Sequence, residues 1–136
     1  MIDRRSFLHS LGLTALLPFA VGCKAPAEAK AKEMVHLLTT FVAGFQYYDG
    51  MKEEVAETLR EGAELVLRRE PGNPHDENAI EVLTLEGFKL GYLPRADNTV
   101  LAAMADQAIQ LRAELTAVDI RTEPWNRALV SVYQTI

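Results

Sequence analysis

Two apolar runs, Leu65-Val66-Leu67 and Ala79-Ile80-Glu81-Val82-Leu83, are separated by a polar stretch from Pro71 to Asn78 with two prolines, a glycine, two asparagines and an acid–His cluster. A short hairpin turn does not need eight such residues, so this chain must join two strands through a decorated loop. The other elements arrange themselves around that loop. His36 to Tyr48 is rich in Thr, Val, Phe and Tyr and reads as a strand, with Gly44 marking a bulge or a close approach. Met51, Val55 and Leu59 recur at helical spacing and predict a short helix that Glu61-Gly62 ends. Ala63 to Arg69, Ala79 to Leu83 and Phe88 to Leu93 are the next three strands, the last two joined by a hairpin turn at Glu86-Gly87. Pro94 stops the fourth. Asp97 or Asn98 then caps a helix running to about Gln107, with Val100, Leu101 and Met104 facing inward. Leu111 to Ile120 and Ala128 to Tyr133 alternate as a fifth and a sixth strand. The expected class is mainly β: a small, closed or partly closed six-stranded antiparallel barrel, OB- or SH3-like, with one or two short helices. Closure would also remove the edge strands that so small a domain must protect.

The first two dozen residues carry different information. Asp3-Arg4-Arg5-Ser6-Phe7-Leu8 resembles a twin-arginine export signal. The apolar stretch Leu11 to Val21 is shorter than the roughly 20 residues a spanning helix needs. Ala20-Val21-Gly22-Cys23 looks like a lipoprotein processing site, although Leu is commoner where Ala20 stands. A buried N-terminal helix or an uncleaved anchor is the other reading. The organisation expected is residues 1–22 as signal peptide, 23–36 as lipidated Cys23 and tether, and 37–136 as the folded domain, exported to the periplasmic side of the envelope. Cys23 is the only cysteine, so a domain beyond it has no disulfide and no cysteine-based metal site. Without residues 1–22 the chain keeps 12 Lys and Arg against 18 Asp and Glu, a net of −6. That is a poor balance for gripping a phosphate backbone, so any nucleic-acid role rests on a local pocket. About 100 residues suffice for one modest core.

Several side chains could carry chemistry. Tyr47 and Tyr48 are adjacent and on a strand point to opposite faces, unless a turn at Asp49 lets both reach a groove. Two ordinary strand aromatics would look the same. Asn73, His75, Asp76, Glu77 and Asn78 share one loop, where Asp and Asn can simply cap turns. Tyr92 and Arg95 flank Leu93-Pro94, and Arg95 begins a helix, an unfavourable place for a cation with no task. Trp125, after Pro124, reads as core or loop anchor. His36 and His75 lack partners at metal-ligand spacing, so neither metal nor cofactor is expected. His75-Asp76 could pair as acid and base, but no nucleophile accompanies them.

Three segments together resemble the HIRAN domain: Gly44-Phe45-Gln46-Tyr47-Tyr48-Asp49-Gly50, Asn73-Pro74-His75-Asp76-Glu77-Asn78-Ala79-Ile80 and Gly91-Tyr92-Leu93-Pro94-Arg95. Their order and spacing cover roughly Leu37 to Ile136. The resemblance implies a non-catalytic module that recognises the 3′ end of single-stranded DNA, or a nucleotide-like ligand. It implies stacking on Tyr47 and Tyr48, a free 3′-hydroxyl received by Asp76, and backbone phosphate met by Arg95 or, less well, by Lys89. Asn73, His75 and Tyr92 complete the expected site. This chain departs from the family pattern at Gln46, where an arginine is usual, at Tyr92 in place of a histidine, and at His75 in place of an aromatic. Those changes bear on affinity. The location and acidic balance suggest a second reading, an envelope-located adaptor for a protein partner on the same scaffold.

Overall fold

The computed structural model describes residues 33–136. Six strands are present: β1 (Met34–Phe41), β2 (Glu64–Arg69), β3 (Ile80–Thr84), β4 (Lys89–Tyr92), β5 (Leu111–Val118) and β6 (Ala128–Thr135). Helix α1 (Glu53–Ala56) is a single turn, and α2 (Arg95–Asp106) spans three. Three 3₁₀ turns, Phe45–Tyr47, Asp49–Met51 and Pro124–Asn126, fill the connections. All strand pairs are antiparallel, in the order β1-β6-β5-β2-β3-β4.

The expected barrel is incorrect, because the sheet is open. β1 and β4 lie at its two ends and share no ladder. They approach only beyond the end of β1, where Ala43 and Tyr92 exchange two hydrogen bonds of 2.8 and 2.9 Å. Two local features stop that pairing from growing. Gly44 takes φ 75°, a left-handed conformation that suits glycine, and turns the chain into the first 3₁₀ turn. On the other side, β4 has only four residues before Pro94 opens α2. The contact itself needs a second glycine. A Cβ on Gly91 would collide with the Ala43 carbonyl oxygen and lie 2.7 Å from a Val42 methyl.

The same turn corrects the position of the tyrosine pair. The first strand ends at Phe41 rather than Tyr48, so Tyr47 lies in a 3₁₀ turn and Tyr48 in the extended residue that follows it. Alternation on a strand therefore does not govern where their rings point.

The core is built from Val42, Phe45, Leu65, Val82, Leu90, Leu115 and Val130, with Leu101 and Ala102 of α2 packed against them. β3 is buried along its whole length, including Glu81, whose carboxylate is held by Arg68 at 2.7 Å. Helix α2 begins three or four residues earlier than expected, with Pro94 rather than Asp97 or Asn98 at its N-cap and no side-chain cap. Its inward stripe is Asn98, Leu101 and Ala102, while Val100 is 69 % exposed. Asp97, one of the two expected caps, instead accepts a hydrogen bond from the Thr40 hydroxyl at 2.9 Å. Trp125 is also not core: it is 55 % exposed.

The arginine pair and Cys23 lie outside the described residues. Among the described residues no helix is long and apolar enough to cross a membrane.

Candidate binding cleft

The loop between β2 and β3 is built by its own side chains. Glu70 N–H donates to the Ala79 carbonyl at 3.0 Å and closes the base. Asn73 Oδ1 then accepts the backbone N–H groups of His75 (2.8 Å) and Asp76 (3.1 Å), the turn chemistry expected of an Asn before a proline. Arg69 holds the returning arm: its guanidinium donates to the carbonyls of Ala79 and Glu77 and pairs with Asp106 of α2 at 2.9 Å.

That framework fixes Asp76. Its Oδ1 accepts the Asn78 N–H at 2.9 Å, and its Oδ2 accepts the Asn98 side-chain amide at 2.8 Å. Arg95 Nε lies 3.8 Å from the same Oδ2. Hydrogen bonds from Asn98 and from the Asn78 backbone, with the Arg95 charge beyond them, hold the Asp76 carboxyl below the usual carboxylate range. It is therefore an oriented acceptor at neutral pH. Asn98 is 2 % exposed, so its amide is locked behind the carboxylate.

The opposite wall is aromatic. Tyr48 and Tyr92 meet edge to face with ring centroids 5.9 Å apart. The Lys89 ammonium sits 4.5 Å from the Tyr48 centroid and 4.2 Å from that of Tyr92, and donates to the Tyr92 hydroxyl at 2.7 Å. The Tyr92 hydroxyl in turn donates to Glu70 Oε1, and Asn73 Nδ2 donates to both, at 3.0 Å to Glu70 and 3.3 Å to Tyr92. The Tyr92 hydrogen bond, then that of Asn73, keeps the Glu70 carboxyl below its ordinary value. Burial and the Glu70 bond raise the Tyr92 phenol. Partial burial lowers the Lys89 ammonium, but the bond to Tyr92 and the nearby Glu81 more than offset it, so its pKa is raised.

Tyr48, Asn73, His75, Asp76, Tyr92 and Arg95 thus line one cleft of about 390 Å³, with Glu70, Pro74 and Leu93 among the remaining walls. A second hollow, over Asn73 to Asn78 and Arg95, shares its polar rim. Tyr47 does not line the cleft; it stands 77 % exposed on the neighbouring turn. Glu70 and Asn98 are the site residues that the sequence reading missed. Glu70 follows directly on a strand and carries no motif, and Asn98 reads equally well as a cap. Lys89, considered for phosphate, spends its ammonium on the two tyrosines. Among the described residues no group of three or more His, Cys, Asp or Glu side chains is placed to hold a metal ion.

An open six-stranded sheet with one helix across it, and a cleft between an aromatic wall and an anchored carboxylate, defines a small ligand-binding module. Residues 35–136 match the HIRAN domain, and the chain belongs to that family, as the three motifs implied. Among curated proteins, the chain is 34 % identical over 68 residues to the helicase-like transcription factor of Oryctolagus cuniculus, a match covering 50 % of this chain and 6 % of that protein. It is 28 % identical over 145 positions to the Fanconi-associated nuclease 1 homolog of Arabidopsis thaliana, covering 97 % of this chain and 16 % of the relative. The chain therefore spans a small part of the curated relatives' length. Among solved structures, a crystal structure of a protein from Lactobacillus plantarum superposes with a TM-score of 0.68 at 33 % identity, over 77 % of this chain and 98 % of that one. The crystal structure of the HIRAN domain of human HLTF shares the fold, with a TM-score of 0.56 at 24 % identity over 75 % and 78 % of the two chains.

Proposed function

We propose that the cleft binds the end of a single nucleic-acid strand, or a nucleotide-like ligand, and distinguishes a free 3′-hydroxyl from a phosphate. The observation that carries this reading is the meeting of Tyr48, Tyr92, Asp76 and Arg95 around one cavity of about 390 Å³, which suits one nucleotide unit better than several. Each wall has a matching chemistry. Tyrosine rings stack on any base, Arg95 is a forked donor for phosphate, and an ionised Asp76 accepts a hydrogen bond from a hydroxyl while repelling a phosphate. Two relatives carry names from nucleic-acid metabolism, a helicase-like transcription factor and a nuclease homolog. Residues 33–136 hold 9 Lys and Arg against 17 Asp and Glu, a net of −8, so affinity is modest and falls steeply with salt. Export of the chain is a separate proposal resting on Arg4-Arg5, and the mass of the mature N-terminus tests it.

The test is a low-salt titration of single-stranded DNA ending in a 3′-hydroxyl against the same strand with a 3′-phosphate. The hydroxyl end binds more tightly, and Asp76→Asn removes that preference. Tyr48→Ala weakens both strands by roughly 1–3 kcal/mol, one lost base stack. Equal binding of the two ends, or no binding, overturns the reading.

A further inference from the structure

The two oxygens of Glu70 are unequal. Oε1 accepts hydrogen bonds from the Tyr92 hydroxyl and the Asn73 amide, which occupy both of its lone pairs. Oε2 has no hydrogen-bond partner among the described residues, and Glu70 lines the cleft together with Tyr48 and Tyr92. The Tyr92 hydroxyl is saturated too: it receives Lys89 and Asn73 and gives its proton to Glu70. Lys89 is thereby tied to the tyrosines and does not neutralise Glu70 by direct contact. The result is an acceptor-only oxygen on a carboxylate that its partner oxygen's two bonds hold in place, in a residue that lines the cleft beside the two tyrosines.

We propose that Glu70 is a specificity-determining residue that reads an exocyclic amino group on the base held in the cleft. This inference rests on the nucleotide reading above. A carboxylate oxygen accepts a hydrogen bond from the amino group of cytosine or adenine, as carboxylates do from cytosine N4, whereas the carbonyl of uracil or thymine at the same place sets two acceptors against each other. A site that leaves a partly desolvated acceptor unpaired discriminates more strongly than one that merely gains a contact. Asp76 then receives the 3′-hydroxyl of the same nucleotide whose base Glu70 reads. Neither carboxylate alone specifies the ligand; together they select a terminal residue that offers a hydroxyl at one end and an amine at the other.

The test uses the full chain and two short single strands that share every nucleotide except the last, which is deoxycytidine in one and deoxyuridine in the other. Both carry a 3′-hydroxyl, and the two terminal bases are alike in size and stacking. The deoxycytidine end binds roughly tenfold more tightly at low salt, the scale of one charge-assisted hydrogen bond. Glu70→Gln reverses the preference. Its amide oxygen must stay on Tyr92 and Asn73, so its NH₂ faces the cleft and donates to the uracil carbonyl. Glu70→Ala, a second variant, abolishes the preference without reversing it. Equal affinity for the two ends, with discrimination against a 3′-phosphate retained, overturns the inference and leaves the end-binding reading standing. An unchanged preference in Glu70→Gln overturns it as well. Failure of both strands to bind overturns the end-binding reading and this inference with it.

Discussion

Gly91→Ala should break the one contact that joins the two ends of the sheet. In the wild-type structure Gly91 has φ 151°, and the Ala43 backbone lies directly over it. An added Cβ would collide with the Ala43 carbonyl oxygen and sit 2.7 Å from Val42 Cγ1. Val42 is 1 % exposed and cannot swing aside, so the adjustment must come from the backbone. Overfilling a packed site costs typically 1–3 kcal/mol, and a backbone conformation foreign to L-residues costs a similar amount. Relief by separating the strands would give up the two hydrogen bonds between Ala43 and Tyr92, at about 1 kcal/mol each. These routes are alternatives as much as additions, so the net loss is about 3–5 kcal/mol, a large share of the 5–15 kcal/mol that a small domain has. Urea unfolding followed by circular dichroism measures it, with Gly62→Ala as a comparison that carries a positive φ of 87° but has nothing within 4 Å of its Cβ, so it loses only the conformational part. Tyr92 adjoins the damaged site, so the cleft should also lose ligand affinity. A Gly91→Ala variant within about 1 kcal/mol of wild type would refute the reasoning, because it would mean that the Ala43 crossing is not tight in solution.

Arg69→Met removes the donors that hold the carbonyls of Glu77 and Ala79. It should cost roughly 1–3 kcal/mol, with little of that from the exposed Asp106 pairing, and amide exchange should quicken at Asp76 to Ala79 while β5 and β6 stay protected. Stability should also fall in acid. The Asp76 carboxyl is held low chiefly by Asn98 and the Glu70 carboxyl chiefly by Tyr92, so each contributes stability above its unfolded value near 4 and loses it as pH drops through the lower folded value. A denaturation series from pH 6 downward should show this decline below about pH 4, and Glu70→Gln should flatten it; a flat wild-type profile would contradict the assignment.

Local chemistry carried most of the correct sequence reading. Pro94 did end a strand, Glu86-Gly87 did form a hairpin, and the Pro71 to Asn78 loop did prove to be organised by an Asn side chain. Errors arose where distant residues decide. Alternation identifies six strands but not whether the first and the fourth will pair. That outcome depends on Gly44 turning the chain away and on β4 stopping after four residues. The tyrosine pair was misplaced by the same turn, since Thr, Val, Phe and Tyr favour a strand as far as Tyr48 and the left-handed residue overrides them. Asn98 looked like a cap because it precedes an apolar run. Its partner is a carboxylate 22 residues earlier, brought there by the packing of α2. Of the site, the residues of the three motifs were legible, whereas Glu70 depended on a hydrogen-bond chain through Tyr92 that no spacing reveals.

The pairing of β1 with β6 has a consequence for how such a module travels between proteins. Met34 faces Thr135 across the ladder, and Ile136 N–H donates to the Glu33 carbonyl at 2.9 Å. Entry and exit are therefore neighbours, a few ångströms apart on one side of the sheet. A host chain could open any exposed loop, splice the module in and continue from nearly the same point, with little added loop-closure entropy. The cleft uses neither end, since its walls begin at Ala43 and finish at Arg95. A transplant should therefore carry the binding surface intact, as a plug carries its pins.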